Sequence, residues 1–489
     1  MAAAAPLEGR AFSRVFVPTY NAIIGFFFLF ATAIYLYRSR LLKKSASGEK
    51  TPLLSSDSVP RATGLYLLYR KTRSVLLYQP PGRYLESNGT MFVVAAYLGL
   101  NAFYCFYRST DTARILGNRF GLVAVVNLPI MFLLGSKTGL LVQWTGWSHE
   151  GYNILHRHSG RVVCLTALGH IIAFSLGKRT LMEQVMRKGV MIGVGGALPG
   201  LCFIIILVSS FAPARNRFYE IFLYAHVWFL VASIVLLYFH YSRCRPYCIT
   251  ASVIWLWDRF NRFKNAHHVT ASTTVLSGNT VKLSMNLHST MRDIHWQTGQ
   301  YVYVTINKLA PFQAHPFTIA SAPNPEHLDL IIRARKGFSK TLFLAEEQDH
   351  QVTFHGPYGS PPKFDGFSKV VLLAGGAGVA YSYPEAVELS RTMPELEIDF
   401  FWVIPQRDFV SWVDFDAAPN VDFKVWVTAE QGRPNIDQYV KNSIAAANGR
   451  PVAVAVCGPS PLVRASRNAS AAELWEGKDV EFFSENFGW

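Results

Sequence analysis

Residues 153–175 read NILHRHSGRVVCLTALGHIIAFS, and residues 219–241 read YEIFLYAHVWFLVASIVLLYFHY. Each run is apolar and long enough to cross about 30 Å of hydrocarbon as a helix. The first carries His156 and His170, the second His226 and His240, and the offset is 14 residues in both. At 3.6 residues per turn this is close to four turns, so each pair shares a helix face at roughly 21 Å separation along the axis. Ionisable groups inside a membrane are rare and usually functional. Two such helices side by side offer facing imidazole pairs at two depths, His156 with His226 and His170 with His240, and each pair can take both axial positions of one haem iron. A single buried histidine is more simply a polar group turned into the bundle. Repetition of the spacing in two separate runs favours ligation, and His158 does not keep the offset.

The chain has 489 residues, 50% of them hydrophobic, which leaves room for two or three domains. Almost all long apolar runs precede residue 260, so a membrane half comes first and a soluble half second. The net charge of +15 comes without the basic helix or aromatic-interleaved patch of nucleic-acid binding and suits loops facing anionic lipid. Six cysteines, none in a C-x-x-C pair, exclude a disulfide framework and a thiolate metal site. Cys244 and Cys248 lie near one membrane face, and the usual redox logic leaves them unpaired.

The first apolar run covers residues 15–37. Ala31-Thr32-Ala33 looks like a leader cleavage site, but the run continues to Tyr37 and meets Arg38, Arg40, Lys43 and Lys44, which predicts a retained anchor with that flank in the cytosol. Residues 38–90 read as a basic cytosolic linker with little core. Runs near 91–107, 119–137, 154–175, 189–210, 219–241 and 246–260 bring the expected spans to seven. Span parity then delivers the soluble half to the cytosol, with His156 and His226 toward that side and His170 and His240 toward the far side. The charge bias beyond the linker is weak, since Arg108, Lys178, Arg179 and Arg187 fall outside. Arg157 and Arg161 beside the inner histidine read equally as propionate partners or snorkelling cations. The far-face loops are short, and no external domain is expected.

Period-two alternation at residues 268–275, 280–287 and 300–306 predicts an antiparallel barrel. Strand-like runs at 370–373, 397–403, 421–427 and 452–456, separated by helical stretches, predict a parallel sheet. His315-Pro316-Phe317-Thr318-Ile319-Ala320-Ser321 ends a barrel strand, and Arg333, Arg335, Lys336, Gly337, Phe338, Ser339, Lys340 and Thr341 follow at a helix start. Together they offer a wall for a flat flavin and cations for a pyrophosphate. Gly375-Gly376-Ala377-Gly378 directly follows an apolar strand, where glycines admit a nucleotide pyrophosphate to the backbone. Cys457-Gly458-Pro459-Ser460-Pro461 follows another buried strand, at the edge where open α/β sheets bind ligands. Each motif alone is weak.

In combination the four histidines, residues 315–321, Gly356-Pro357-Tyr358-Gly359, residues 375–378 and residues 457–461 resemble the ferric reductase and NADPH oxidase superfamily, from about residue 91 to the C-terminus. Residues 482–489 are similar to the aromatic tail of fungal ferric-chelate reductases. The resemblance implies a membrane α-helical bundle, a bis-haem ferric reductase-type domain, followed by a ferredoxin-NADP reductase-like module. The expected division is an anchor at 1–37, the linker at 38–90, a six-helix haem-binding domain at 91–262, an FAD-binding β-barrel at 263–366 and an NADPH-binding α/β domain at 367–489. It implies that NADPH reduces FAD on the cytosolic side. Single electrons then pass to an inner haem b (His156, His226), an outer haem b (His170, His240) and an acceptor beyond. By carry-over His315, Pro316, Phe317, Thr318, Ser321 and Arg333 hold the flavin, and Gly337, Ser339 and Thr341 its pyrophosphate. Gly375, Gly376 and Gly378 hold the NADPH phosphates, and Cys457, Gly458 and Pro459 lie beside the nicotinamide. Trp489 covers the flavin ring and moves aside for the nicotinamide.

Two positions depart from the family pattern. Ala377 stands where a hydroxyl residue is usual, and Arg407 is the candidate for the 2′-phosphate in an uncertain register, which leaves NADPH over NADH open. Asn88-Gly89-Thr90 and Asn468-Ala469-Ser470 match glycosylation sequons but fall on the cytosolic side and read as accidental. The expected function is reduction of Fe(III) chelates, and of Cu(II), by an integral membrane protein, with the plasma membrane favoured over the vacuolar and ER membranes. The rivals are a superoxide-forming NADPH oxidase and a non-enzymatic haem protein. The nearly complete motif set argues against the second.

Overall fold

The computed structural model describes residues 5–46, 64–82, 86–107, 113–176, 190–287, 294–311, 313–323 and 326–485. Trp489 and the loop cations Arg108, Lys178, Arg179 and Arg187 lie outside them. The chain divides into two compact units, Met1–Ala33 with Phe92–Asn261, and Ile34–Met91 with Arg262–Trp489.

The helices in chain order are α1 (Ala5–Ala46), α2 (Gly64–Leu77), α3 (Asn88–Phe106), α4 (Ala113–Val126), α5 (Leu128–Leu134), α6 (Leu140–Thr145), α7 (His149–Leu176), α8 (Val190–Ser209), α9 (Ala212–Arg217), α10 (Tyr219–His240) and α11 (Arg245–Lys264). Five stretches among the described residues are long and apolar enough to cross a membrane: Val15–Tyr37, Asn88–Phe106, Ala113–Leu134, His149–Leu176 and Tyr219–His240. The described apolar part of α8, Gly196–Ser209, is shorter. Helix α11, the expected seventh span, is outside this set because Asp258, Arg259, Arg262 and Lys264 load its last two turns with charge.

Helix α4 packs along α7, α8 along α10, and α7 touches α8. Small residues permit the close approach: a Cβ on Gly117 would stand 3.0 Å from Phe174, and one on Gly169 would stand 2.9 Å from Phe120. Phe92, Leu165, Ile172, Val208, Trp228 and Val235 point outward and exposed, an apolar surface that only lipid or a partner can cover at low cost. Inside the bundle, Asn127 is fully buried and ties three helices together. Its Oδ1 accepts from the Tyr20 and Tyr97 hydroxyls at 2.6 and 2.5 Å, and its Nδ2 donates to Asn101 at 2.8 Å. Such a polar knot is stable in a membrane because every member is satisfied internally.

The second unit holds two sheets. Strands β1 (Ala266–Leu276), β2 (Thr280–Asn286), β3 (Tyr301–Thr305), β4 (His315–Thr318), β5 (His327–Arg333) and β6 (Asp349–Tyr358) form an antiparallel sheet in the order β4-β3-β6-β1-β2-β5. Their inward residues, among them Val269, Leu283, Val302, Leu330 and Phe354, make one core. Strands β7 (Lys369–Gly375), β8 (Glu397–Ile404), β9 (Val421–Val427), β10 (Val452–Cys457) and β11 (Val480–Glu485) pair in parallel in the order β11-β10-β7-β8-β9. β10 is buried at every position, as a strand covered by helices on both faces must be. The remaining helices are α12 (Phe338–Phe343), α13 (Val379–Thr392), α14 (Thr428–Gln431), α15 (Ile436–Ala446) and α16 (Ser460–Trp475).

One expectation changes. Part of the supposed linker is helix α2, which packs against α16 within the second unit. The sequon at Asn468 is occupied by that packing, since its side-chain amide is hydrogen-bonded to the Gln79 backbone in both directions.

Candidate functional site

The imidazole rings of His156 and His226 stand with centroids 6.3 Å apart, and those of His170 and His240 6.4 Å apart. Two imidazole nitrogens each about 2 Å from one iron set ring centroids roughly 6 Å apart once ring radii of about 1 Å are added, so the pairs fit a six-coordinate haem. His156 Nδ1 lies 3.0 Å from the Met131 carbonyl oxygen, and His170 Nδ1 lies 2.7 Å from that of Gly117. A carbonyl only accepts, so each Nδ1 carries the proton and each Nε2 keeps its lone pair for a ligand. Glycines seat three of the rings. A Cβ on Gly135 would stand 3.0 Å from His156, one on Gly121 2.8 Å from His170, and one on Gly196 2.7 Å from His240. Among the described residues no group of three or more His, Cys, Asp or Glu side chains could hold a metal ion. All six cysteines are buried and none is in a disulfide, Cys244 and Cys248 included.

In the second unit the predicted flavin residues come together at one end of the barrel. His315, Pro316, Phe317 and Thr318 form β4, and the His315 ring stacks on Phe338 at 4.5 Å and 12°. Gly337, at φ 59° and ψ −136°, turns the chain into α12 in a conformation that only glycine adopts readily. The hydroxyls nearby shape the turn: Ser339 Oγ accepts from the Arg335 amide at 3.1 Å, and Thr341 Oγ1 donates to the Gly337 carbonyl at 3.2 Å. Ser321 Oγ accepts from the Asp329 amide at 3.1 Å, which fixes the end of the β4 segment against β5.

The residues expected to bind the nucleotide meet where the order of the parallel sheet reverses, between β7 and β10. In open α/β sheets this crevice at the carboxyl ends of the strands receives the ligand. Gly375, Gly376 and Gly378 stand on one side, Cys457, Gly458 and Pro459 on the other. The two turns interlock, since a Cβ on Gly375 would come within 2.5 Å of Pro459 and one on Gly378 within 2.1 Å of the Cys457 carbonyl oxygen. Arg333 from the barrel reaches the same place, its Nη1 3.9 Å from a Cβ built on Gly376. Arg407 lies past the end of β8, exposed, in a two-pronged ion pair with Glu430 at 3.1 and 2.7 Å.

Sequence reading missed a carboxylate in this region. Glu385, on α13, is 4% exposed, and its Oε2 has no hydrogen-bond partner. Burial pushes its carboxyl up to about 7, against a hydrogen bond from Thr298 that lowers it. The folded protein therefore favours the neutral acid, and its stability is complete below the ordinary carboxylate range and falls as pH rises from about 4.5 toward 7. Glu385→Gln keeps the shape and removes the titration. We expect the variant to gain on the order of 3 kcal/mol over wild type between pH 5 and pH 8, read as a difference in thermal unfolding at the two pH values. Equal pH dependence in both proteins rejects the assignment.

Residues 120–237 match the family "Ferric reductase like transmembrane component", residues 264–362 match "FAD-binding domain", and residues 416–471 match "Ferric reductase NAD binding domain". The chain is 25% identical over 440 residues to "Ferric/cupric reductase transmembrane component 7" of Saccharomyces cerevisiae, across 81% of this chain and 69% of that one. It is 24% identical over 345 residues to "Probable ferric reductase transmembrane component" of Candida albicans, across 66% of this chain and 50% of that one. A membrane helical region, an FAD-binding barrel and a nucleotide-binding sheet thus follow one another in the order of the matched families, and the chain has the transmembrane, FAD-binding and NAD-binding architecture of a ferric-reductase-type NADPH oxidoreductase.

Proposed function

We propose that this protein carries electrons from cytosolic NADPH across a membrane and reduces Fe(III) chelates, and cupric chelates with them, on the far side. The observation that carries the reading is the doubled histidine pair, 6.3 and 6.4 Å between rings at two levels of one bundle. Haem bound at these two levels would supply one-electron carriers that bridge the hydrocarbon. The chain's own contribution is geometric. The Met131 and Gly117 carbonyls orient His156 and His170, the glycines at 121, 135 and 196 leave room for the rings, and β4 with α12 walls the flavin site. Gly375, Gly376 and Gly378 open the backbone to the nucleotide beside Cys457. Flavin accepts a hydride and releases single electrons, which is why such a group belongs between a nicotinamide and haem.

Helix α11 is read as the seventh crossing despite its charged end. It starts just after His240, and Asp258 on it accepts from Ser136 Oγ and the Lys137 and Thr138 amides at 2.8–2.9 Å. That turn adjoins Gly135, which seats His156. Thirteen residues of helix advance roughly 20 Å, close to the spacing between the two histidine levels. An odd span count places the nucleotide-binding half on the side of the basic flank after α1, the cytosol, and the plasma membrane is the membrane that gives the far side access to external chelates.

The test is a stopped-flow spectrum of purified protein with FAD and NADPH under anaerobic conditions, followed by ferric citrate or, in a separate run, O2. Haem oxidation fast with ferric citrate and slow with O2 supports the metal-reductase reading. The reverse order makes the protein an oxidase, and haem that NADPH never reduces ends both readings.

Arg407 is proposed to read the 2′-phosphate, and Glu430 to restrain it. Arg407→Ala should raise the KM for NADPH by about tenfold, the scale of one charge-assisted phosphate contact, and leave that for NADH unchanged. Equal changes for both nucleotides would place the 2′-phosphate elsewhere.

A further inference from the structure

Helix α2 belongs in sequence to the segment between the first two apolar runs, yet it is bound to the nucleotide-binding sheet by specific bonds. Arg73 Nη2 pairs with Glu481 Oε2 at 2.7 Å, and the Arg70 guanidinium donates to the Lys478 carbonyl. Ser74, buried, donates to the Ala471 carbonyl at 2.7 Å. Beyond the helix, the Gln79 amide donates to Asn468 Oδ1 at 2.8 Å, and Asn468 Nδ2 returns a bond to the Gln79 carbonyl at 2.9 Å. Lys71 lies 4.9 Å from the Trp475 ring. These contacts fall on α16, the turn that follows it and the start of β11.

Both elements lead into the nicotinamide side of the site. Helix α16 begins at Ser460, directly after Cys457-Gly458-Pro459. β11 is an edge strand whose sheet pairing is with β10, in a register that sets Glu485 opposite Cys457. An edge strand with one sheet neighbour is the least restrained strand of a sheet, and covering it with another element is a common remedy. Without α2, the restraints on β11 are the β10 ladder, the packing of α16 and the contacts of Phe483 with Phe364 and Phe367.

We propose that α2 is a brace for the nicotinamide site, and that Arg73, through Glu481, is a positioning residue for hydride transfer from NADPH to the flavin. The brace holds α16 and β11 in place, and they in turn hold the Cys457 turn and Glu485. The proposal rests on the NADPH and FAD reading above but is independent of the haem groups and of the acceptor.

The test uses full-length protein in detergent, loaded with FAD and mixed anaerobically with NADPH, with flavin reduction as the readout. Reduction in wild type establishes the NADPH and FAD reading before any variant is judged. Arg73→Glu should slow flavin reduction at saturating NADPH roughly tenfold with flavin content unchanged, the scale expected when a supporting contact misplaces reacting groups by less than 1 Å. Arg73→Glu combined with Glu481→Arg should recover most of the rate, which a merely structural loss would not do. A second pair, Ser74→Cys with Ala471→Cys, tests the brace without removing a charge. Closing that disulfide should leave flavin reduction at or above the wild-type rate. Unchanged kinetics in Arg73→Glu with faster amide exchange in α16 overturns the proposal, and so does arrest of flavin reduction by the disulfide, which would mean that α2 must leave for turnover.

Discussion

On the bis-haem reading proposed above, His170→Ala should cut bound haem from two per chain to one and lower ferric-chelate reduction by more than about 100-fold, with NADPH reduction of the flavin intact. The reasoning starts at the ring pair. An axial imidazole would be half of the protein's hold on an iron bound there, and the His170 ring is already oriented by the Gly117 carbonyl at 2.7 Å. Its removal takes away one ring of a pair whose centroids stand 6.4 Å apart. Water in its place would be a poor sixth ligand and would shift the potential, so even haem retained there would be a broken link. His158→Ala is the matched control, since it lies on the same helix and does not face a second histidine at the pair spacing. It should keep both haems. Gly121→Val provides a milder probe, because a Cβ there stands 2.8 Å from His170 Nδ1 and pushes on the ring without removing it. Haem content by pyridine haemochrome decides the matter: two haems retained in His170→Ala would remove His170 from the ligand set.

The elements that carry the chemistry were legible in the sequence because each has a local signature. The strand runs at 268–275, 280–287 and 300–306 reappear in β1, β2 and β3, and the continuous apolar run at 452–456 lies within β10. The offset of 14 residues announced the histidine pairs, because helix periodicity is a local property. Helix α11 was legible as a helix but not as a crossing, because Asp258, Arg259 and Arg262 gather at its end and composition alone does not reveal where in a helix charges fall. The docking of α2 was illegible for a different reason. Its partners Asn468, Ala471 and Glu481 lie about 400 residues away in sequence, and a basic helix with no long-range information reads as a solvated face. Glu385 was missed on the same ground, since a glutamate in a helix is usually exposed and nothing local marks this one as buried.

Gly378→Ala should reduce the rate of flavin reduction by NADPH by about 100-fold or more, the scale attached to a misplacement of about 1 Å at a reacting centre. The cause is close approach and not backbone freedom, for Gly378 has φ −62° and any residue could adopt its conformation. What cannot be accommodated is the methyl group itself. It would sit 2.1 Å from the Cys457 carbonyl oxygen and 2.6 Å from the carbonyl carbon, against backbone and not against a side chain that can swing away. Relief therefore requires the turn at 375–378 and the turn at 457–459 to part by about 1 Å to reach ordinary contact, and strain of about 1–3 kcal/mol remains if they do not part fully. Parting separates the glycine backbone from Cys457 across the switch point, where on the proposed reading the nucleotide touches both. Binding of NADPH should weaken as well, so KM rises while the flavin content, which depends on β4 and α12, stays at the wild-type level. A neighbouring substitution, Ala377→Ser, separates sterics from chemistry, since it adds one hydroxyl to a half-buried residue and should leave the rate within about threefold of wild type. If Gly378→Ala reduces its flavin at the wild-type rate, the crevice between β7 and β10 is not the route by which NADPH reaches the flavin.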